Sequence, residues 1–174
     1  MPLNPEIRRQ LMESVQNVHL PRYHEIPDVG LFLEQVTKYV NGFLSTCGIS
    51  PITSSMVSNY VKQKIIPGPN KKSYDSVSIA YLIFVAVMKG VMAMEDIRLL
   101  IDIQQRTYDQ VVAYNYFCDE FENLIQYVFG NRKEPLEVGV DHSEEKELLR
   151  VALCSIAQKI YLDHYLRILR EEQS

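Results

Sequence analysis

Apolar side chains recur at helical spacing along most of the chain and predict seven helices. The clearest pattern begins at Val29 and continues through Phe32, Leu33 and Val36, which is the i, i+3, i+4, i+7 spacing of an amphipathic helix. Similar patterns predict helices over residues 5–18, 54–64, 76–89, 95–105, 107–129 and 143–170. No stretch shows the alternation of a half-buried strand, so the predicted fold class is all-α.

Proline, glycine and capping residues mark the predicted connections between these helices. Two prolines make residues 20–27 an extended linker, and Gly48 ends the helix over residues 29–46. Thr53 is a suitable N-cap for the next helix. Residues 67–70, Pro-Gly-Pro-Asn, must form a loop. A polar loop over residues 130–141 then precedes the last helix, which is apolar around most of its circumference.

These boundaries suggest three parts. Residues 1–28 form an N-terminal arm, residues 29–106 a helix-turn-helix domain with a short wing, and residues 107–174 a C-terminal helical extension. The extension's apolar last helix must be buried on several sides, which makes it central to the fold or part of a homodimer interface. We expect the aromatic residues of the helix over residues 107–129 to occupy the core or that interface rather than an effector pocket.

Charge is unevenly distributed along the 174 residues, whose formal net charge is −4. Residues 51–76 carry four lysines against one aspartate, whereas residues 107–174 carry seven basic and thirteen acidic side chains. A polyanion would therefore be attracted to one short region only. The acidic total excludes a histone-like coating of nucleic acid. The most apolar run, residues 77–88, is too short to span a bilayer, so we expect a cytoplasmic protein without a membrane partner.

The sequence contains no recognisable catalytic or metal-binding motif. The cysteines Cys47, Cys118 and Cys154 are far apart, which argues against a zinc site and for reduced, buried thiols. No HExxH, GxSxG or phosphate-binding glycine loop occurs. The acidic pairs of the C-terminal third lack the Glu-x-x-His spacing of carboxylate metal sites and indicate a solvated face. We therefore expect no enzyme activity, no cofactor and no metal.

The basic region has the parts that recognition of double-stranded DNA requires, namely a supported short helix with cations beside it. Residues 29–46 supply the supporting helix, residues 47–52 the turn and residues 53–64 the helix that enters the major groove. The loop with Lys71 and Lys72 forms a wing on the phosphates. The candidate DNA contacts are polar, cationic or aromatic residues of this helix and wing: Ser55, Ser58, Asn59, Lys62, Gln63, Lys64, Lys71, Lys72 and Tyr74.

Two short motifs and two helices follow one another at a characteristic spacing. Tyr60-Val-Lys-Gln-Lys64-Ile65-Ile66-Pro67 is followed by Lys72-Ser-Tyr74, by the apolar run 77–89 and by Met92-Ala-Met-Glu95-Asp96-Ile97-Arg-Leu-Leu100. This order resembles the DNA-binding domain of the MerR family of bacterial regulators. That family has Tyr-x-x-x-Gly-Leu-Leu-Pro, a wing with Arg-x-Tyr, and a helix beginning Phe-Ser-x-Glu-Glu-Ile. The resemblance implies a MerR-like transcriptional regulator.

A longer resemblance extends from residue 20 to about residue 105. The shared pieces are Leu20-Pro-Arg-Tyr, Ile26-Pro-Asp28 and Met56-Val-Ser-Asn-Tyr60-Val-Lys62. They resemble an uncharacterised family of Gram-positive bacterial proteins whose domain of unknown function is described as MerR-like. This resemblance also implies a transcription factor, and it names no effector.

An alternative function is that of a helical protein-interaction module that has kept the fold and lost DNA binding. The MerR family has Arg-Tyr-Tyr where this chain has Ser58-Asn59-Tyr60, so the phosphate-binding arginine is absent. Lys72 replaces the wing arginine, keeping the charge but losing the bidentate guanidinium. The missing arginine and the acidic total favour this alternative, whereas the clustered lysines and the MerR-like spacing favour DNA binding, which is the function that we expect.

Overall fold

The computed structural model describes residues 4–173, and over these residues the protein is all-helical, with no strand. A short 3₁₀ turn, Tyr23–Glu25, precedes the second helix. Within the described range, no helix is both long and apolar enough to cross a membrane. The seven α-helices are α1 (Pro5–Ser14), α2 (Leu33–Cys47), α3 (Ser54–Lys62), α4 (Ser76–Met88), α5 (Met94–Thr107), α6 (Gln110–Val128) and α7 (Glu144–Glu172).

Helix α4 forms the centre of the protein. Asp75 caps it by accepting a hydrogen bond from the backbone N–H of Ser78, at 2.9 Å. Ten of its thirteen residues are buried, as the uninterrupted apolar run predicts. Helices α2, α6 and α7 all pack against it, so α4 connects α2 to the C-terminal helices.

The N-terminal segment packs on the C-terminal helices. Ile7 and Leu11 of α1 are buried, and α1 packs on α7. The side chain of Gln126 on α6 donates to the carbonyl of Val15, at 2.9 Å. Residues 4–28 of the segment predicted to be an arm therefore contribute to the core, while residues 1–3 lie outside the described range.

The linker over residues 20–27 is held on α6 by hydrogen bonds. The Arg22 guanidinium donates to both carboxylate oxygens of Glu122, at 2.8 and 2.9 Å, and to Asp119. The hydroxyl of Tyr114 donates to the carbonyl of Pro21, at 2.7 Å. Bidentate arginine–carboxylate pairs are among the stronger hydrogen-bonded contacts. The linker is therefore fixed in place, but the prediction that it is extended throughout is wrong, because Tyr23–Glu25 form a 3₁₀ turn.

Helix α2 begins four residues later than the apolar pattern predicts. Gly30 has φ +77°, and Leu31 pairs with Tyr74 in an antiparallel bridge, so the chain is not helical there. Val29 and Phe32 are exposed instead of contributing to the apolar face. The helix starts at Leu33, where the Gln35 side chain accepts from the backbone N–H of Phe32, at 2.9 Å. The prediction of a start at residue 29 is wrong because this segment pairs with the wing.

The turn after α2 rests directly on α7. Gly48 ends α2 in the left-handed region, with φ +69°, and the imidazole of His164 lies against it. A Cβ at Gly48 would lie 2.6 Å from Cε1 of His164. The ring of His164 is buried, its Nδ1–H donates to the Ile160 carbonyl at 3.1 Å, and burial lowers its pKa. The C-terminal helix therefore supports the turn through a neutral, closely packed ring.

Between α6 and α7, one carboxylate is fully buried. Neither oxygen of Glu120 has a hydrogen bond among the described residues, and Nε of Arg150 lies 3.3 Å from one of them. Burial raises the pKa of Glu120, and the Arg150 guanidinium opposes that shift. A charged carboxylate at this position therefore costs stability at neutral pH.

We expect Glu120→Gln to raise the free energy of unfolding at pH 7.5 by roughly 1 kcal/mol, because it removes a buried charge whose carboxylate oxygens have no hydrogen bond within residues 4–173. The folded pKa lies above the unfolded value, so native Glu120 retains its proton in a pH window where the unfolded chain has lost it. The stability of the native protein therefore falls as the pH rises through that window. Urea unfolding at pH 5 and pH 7.5 measures this.

The increase in the free energy of unfolding caused by Glu120→Gln should be smaller at pH 5 than at pH 7.5. More of Glu120 is protonated at the lower pH, and a protonated glutamate resembles glutamine. The exposed Glu137→Gln provides the matched control, because it makes the same chemical change in solvent. A Glu120→Gln protein less stable than wild type at pH 7.5 would show that the ion pair with Arg150 outweighs the cost of burial.

Candidate nucleic-acid interface

The turn between α2 and α3 is held rigidly by side chains. The amide of Asn41 on α2 pairs with both the N–H and the carbonyl of Ile52, each at 2.8 Å. Thr53 then caps α3 by accepting from the N–H of Met56, at 3.2 Å. Each of these interactions satisfies a backbone group that a tight turn would otherwise leave unpaired. The angle at which α3 leaves α2 is thereby fixed.

Helix α3 buries one face and exposes the other. Val57 and Tyr60 are buried, while Met56 and Val61 are half-buried against the core. The opposite face is polar and exposed: Ser55, Ser58, Asn59, Lys62 and, at the C-cap, Gln63. The sequence prediction of a supported helix with a polar outer face is confirmed. Such a face offers hydroxyl, amide and ammonium groups that can reach base edges.

The C-terminus of α3 closes with a lysine in an uncommon backbone conformation. Lys64 has φ +56°, the left-handed conformation that glycine adopts most readily. The N–H of Ile65 donates to the Tyr60 carbonyl and that of Lys64 to the Val61 carbonyl, both at 2.9 Å. These two bonds define a Schellman motif. Ile65 is buried beneath the turn, and the Lys64 side chain is exposed above it.

The predicted wing is a minimal hairpin with two lysines at its tip. Asn70 and Ser73 exchange two backbone hydrogen bonds, at 2.9 and 3.0 Å, across Lys71 and Lys72. Both lysines have positive φ, +47° and +66°, which is the pattern of a type I′ turn. The loop leading to the wing lies against α3, because a Cβ at Gly68 would be 3.1 Å from the Val61 side chain.

Tyr74 does not belong to the exposed surface. Its side chain is 4% exposed, and burial raises its pKa. Its backbone exchanges hydrogen bonds with Leu31, at 2.8 and 2.9 Å. Tyr74 therefore anchors the wing to the start of α2, and its side chain cannot contact DNA as the sequence reasoning proposed. The other eight candidates are all exposed.

Four ammonium groups lie on or beside α3 without acidic partners. Lys62, Lys64, Lys71 and Lys72 are exposed, and within residues 4–173 none of their side chains forms an ion pair. The guanidinium of Arg98 on α5 adds a fifth cation, since it donates to the carbonyl of Gln63. Sequence reasoning missed Arg98 because it lies 35 residues from Gln63, and no local pattern connects the two positions.

One acidic side chain lies at the opposite end of α3. The hydroxyl of Ser54 donates to the carboxylate of Glu34 on α2, at 2.8 Å. Glu34 is exposed, so its charge would repel a phosphate near the N-terminus of α3. The surface is therefore positive around the C-terminus of α3 and the wing, and locally negative around its N-terminus.

The reactive side chains elsewhere form no metal cluster among the described residues, which contain no group of three or more potential ligands. Cys47 and Cys118 are buried, and burial raises the pKa of each thiol to about 12. The prediction of buried thiols is confirmed for these two. Cys154 is only half-buried, although burial also raises its pKa.

Residues 21–117 match the domain of unknown function DUF1836. The chain belongs to this family. The DUF1836 match covers α2 to α5, the linker that Arg22 holds in place and the first part of α6. Neither the curated proteins nor the solved structures contain a match to the chain.

Proposed function

We propose that this DUF1836 protein is a MerR-like, non-enzymatic transcriptional regulator of a bacterial cytoplasm that binds double-stranded DNA. Helix α3 enters the major groove, and the wing with Lys71 and Lys72 rests on the phosphate backbone. The observation that carries the proposal is the group of four exposed, unpaired lysines around a helix that the turn holds rigidly. In a chain of net charge −4, this group gives a polyanion one preferred place to bind.

The polar face of α3 supplies the chemistry of base recognition. Asn59 can donate to and accept from an adenine edge, and the hydroxyls of Ser55 and Ser58 can bond to several bases. Lys62 and Lys64 would contact phosphates or guanine acceptors. Among residues 4–173, none of these side chains has a hydrogen-bond or ion-pair partner, so all of them are available to DNA.

We further propose that the protein acts as a homodimer. Four lysines per protomer give modest affinity at physiological salt, and a two-fold dimer would double that number. Helix α7 has exposed apolar residues that a second copy could cover, namely Val151, Leu162 and Leu166. The dependence of DNA affinity on salt tests this directly, because the slope reports how many phosphates are neutralised.

Fluorescence anisotropy with random duplex DNA across a salt series tests the proposal. We expect log K to fall with log salt concentration at a slope of about −3.6 for four neutralised phosphates, or about −7 for eight in a dimer. Replacing Lys62, Lys64, Lys71 and Lys72 with alanine should abolish the salt-dependent binding. The matched control removes four exposed cations elsewhere: Arg8, Lys38, Arg106 and Lys133.

If both quadruple variants lose DNA affinity equally, the affinity depends only on the net charge of the protein, and the proposed interface is wrong. Absence of binding at low salt would favour the second candidate, a protein-interaction module. The specific observation behind that candidate is the acidic group of Glu34 beside α3, together with Ser58-Asn59 in place of the arginine of the MerR pattern.

A further inference from the structure

A cavity of about 450 Å³ lies where α4, α5 and α6 meet the loop before α7. Several of its lining residues are aromatic, among them Tyr81, Phe84, Tyr108, Tyr116 and Phe117. Aliphatic residues, including Leu100, Ile101 and Leu149, contribute further apolar lining. A space of this size and character is typical of small-molecule sites. The sequence predicts that the aromatic residues over 107–129 occupy the core or a dimer interface. Phe117 is buried as predicted, whereas Tyr108 and Tyr116 are half-buried, and all three line the cavity.

Several polar groups in the cavity wall already have hydrogen-bond partners within the protein. The hydroxyl of Tyr81 donates to Gln104, at 3.0 Å, and accepts from Gln105, at 3.2 Å. The amide of Gln104 also donates to the carbonyl of Tyr108, at 2.9 Å. A ligand therefore does not need hydrogen-bonding groups to satisfy this wall, and a polar one would lose its hydration there.

The charges around the cavity disfavour an anion. Lys146 lies over the rings of Tyr116 and Tyr108, 4.9 and 5.6 Å from their centroids, and its ammonium group pairs with Asp141. Asp119 and Glu145 also line the cavity. Lys146 neutralises Asp141 and Arg22 neutralises Asp119, so Glu145 is the one carboxylate of these three without an ion pair among the described residues. The lining therefore carries a small net negative charge. A negatively charged ligand would be repelled, and an uncharged one would not.

The loop before α7 covers part of the cavity and leaves an apolar mouth. Gly139, with φ +85°, crosses so closely that a Cβ would lie 3.3 Å from the ring of Tyr116. Val112, Val140 and Leu148 line the cavity and are exposed. Exposed apolar residues gathered at the entrance of an apolar cavity are a feature of binding sites.

We infer that this cavity is a binding site for a small, uncharged, apolar aromatic molecule. The aromatic walls provide stacking and edge contacts, and the satisfied polar groups and the acidic surroundings select against charged or strongly polar ligands. The site is separate from α3 and the wing, so the inference stands whether or not the protein binds DNA.

N-phenyl-1-naphthylamine, an uncharged fluorescent probe, tests the inference by direct titration. We expect saturable fluorescence enhancement with a dissociation constant of about 1–10 μM, within the range of a drug-sized apolar site. Its sulfonated analogue, 1-anilinonaphthalene-8-sulfonate, has the same rings plus a negative charge. The sulfonate should bind at least about fivefold more weakly, because its charge would lose hydration in an apolar cavity and would face the unpaired carboxylate of Glu145.

Variants locate the probe in the cavity. Ala113 lines the cavity on α6, so Ala113→Phe should weaken probe binding by about tenfold or more by filling the space. Val111→Phe adds the same ring to the same helix at an exposed position outside the cavity and should leave binding unchanged. Ile103→Trp fills the cavity from α5 and serves as a second test if Ala113→Phe folds poorly.

Three results would overturn the inference. They are the absence of saturable binding, tighter binding of the sulfonate than of the neutral probe, and equal affinity of wild type and both filling variants. The titration uses the full chain without DNA, so none of these results depends on the proposed regulatory function.

Discussion

Replacing Lys64, Lys71 and Lys72 with glycine, asparagine and glycine will raise the stability of the protein while lowering its affinity for DNA. All three lysines have positive φ, a conformation that costs a non-glycine residue roughly 1 kcal/mol. Glycine removes that cost at the C-terminus of α3, and Asn-Gly is the preferred pair for a type I′ turn. We expect the free energy of unfolding to rise by about 1–2 kcal/mol in total.

The same triple variant lacks three cations of the proposed interface. The salt slope of DNA binding should become shallower by about 0.9 for each phosphate that the variant no longer neutralises. Denaturant unfolding and anisotropy titration on the same preparations measure the two effects. A rise in stability together with a fall in DNA affinity would show that the protein retains strained lysines for binding. Backbone strain is commonly retained at functional sites.

Alanine at the same three positions is the matched comparison, because it removes the charges and keeps the positive φ. The alanine variant should lose DNA affinity equally without gaining stability. Unchanged DNA affinity in the glycine–asparagine–glycine variant would remove Lys64 and the wing from the interface and refute the proposed mode of binding. A fall in stability would contradict the turn geometry described above.

Substituting alanine at Gly48 will destabilise the protein by about 3 kcal/mol, the largest effect that we expect from one added methyl group. Left-handed φ accounts for roughly 1 kcal/mol of this. The remainder arises because the new Cβ would lie 2.6 Å from Cε1 and 2.7 Å from Nε2 of His164. The buried ring has little freedom to move, since it is bonded to the Ile160 carbonyl and packed on Phe129.

A double-mutant cycle with His164→Ala separates the two causes. In the His164→Ala background the clash is gone, and Gly48→Ala should cost only the roughly 1 kcal/mol of backbone strain. Urea unfolding of the four proteins gives the coupling energy. Equal costs of Gly48→Ala in both backgrounds would show that α7 does not restrain the turn of the helix-turn-helix.

The helices were predictable because their information is local. The apolar spacing of α2 from Val36 onward and the capping residue Thr53 are readable along the chain, and both occur as predicted. The start of α2 was mispredicted because the pairing of Leu31 with Tyr74 joins positions 43 residues apart. Pairing between distant residues can override the local apolar spacing, and it cannot be detected from that spacing.

In the candidate site, too, local features were predictable and features that depend on tertiary contacts were not. Exposure of the polar face of α3 follows from periodicity, and eight of the nine predicted residues are exposed. The burial of Tyr74 and the contact of Arg98 with Gln63 depend on tertiary packing, which composition does not encode. The positive φ of Lys64 was similarly hidden, because lysine is not a residue that signals a left-handed turn.

Helix α7 contacts both the proposed small-molecule site and the turn that precedes α3. Its first turns carry Lys146 and Leu149 in the wall of the cavity, and His164 packs on the turn before α3. Eighteen residues separate Lys146 from His164, so about 27 Å of stiff helix connects the two places. If a bound molecule shifts α7, the turn before α3 would move with it, and the population of the proposed DNA-binding arrangement would change. Thermodynamic reciprocity then requires DNA to change the molecule's affinity by the same factor.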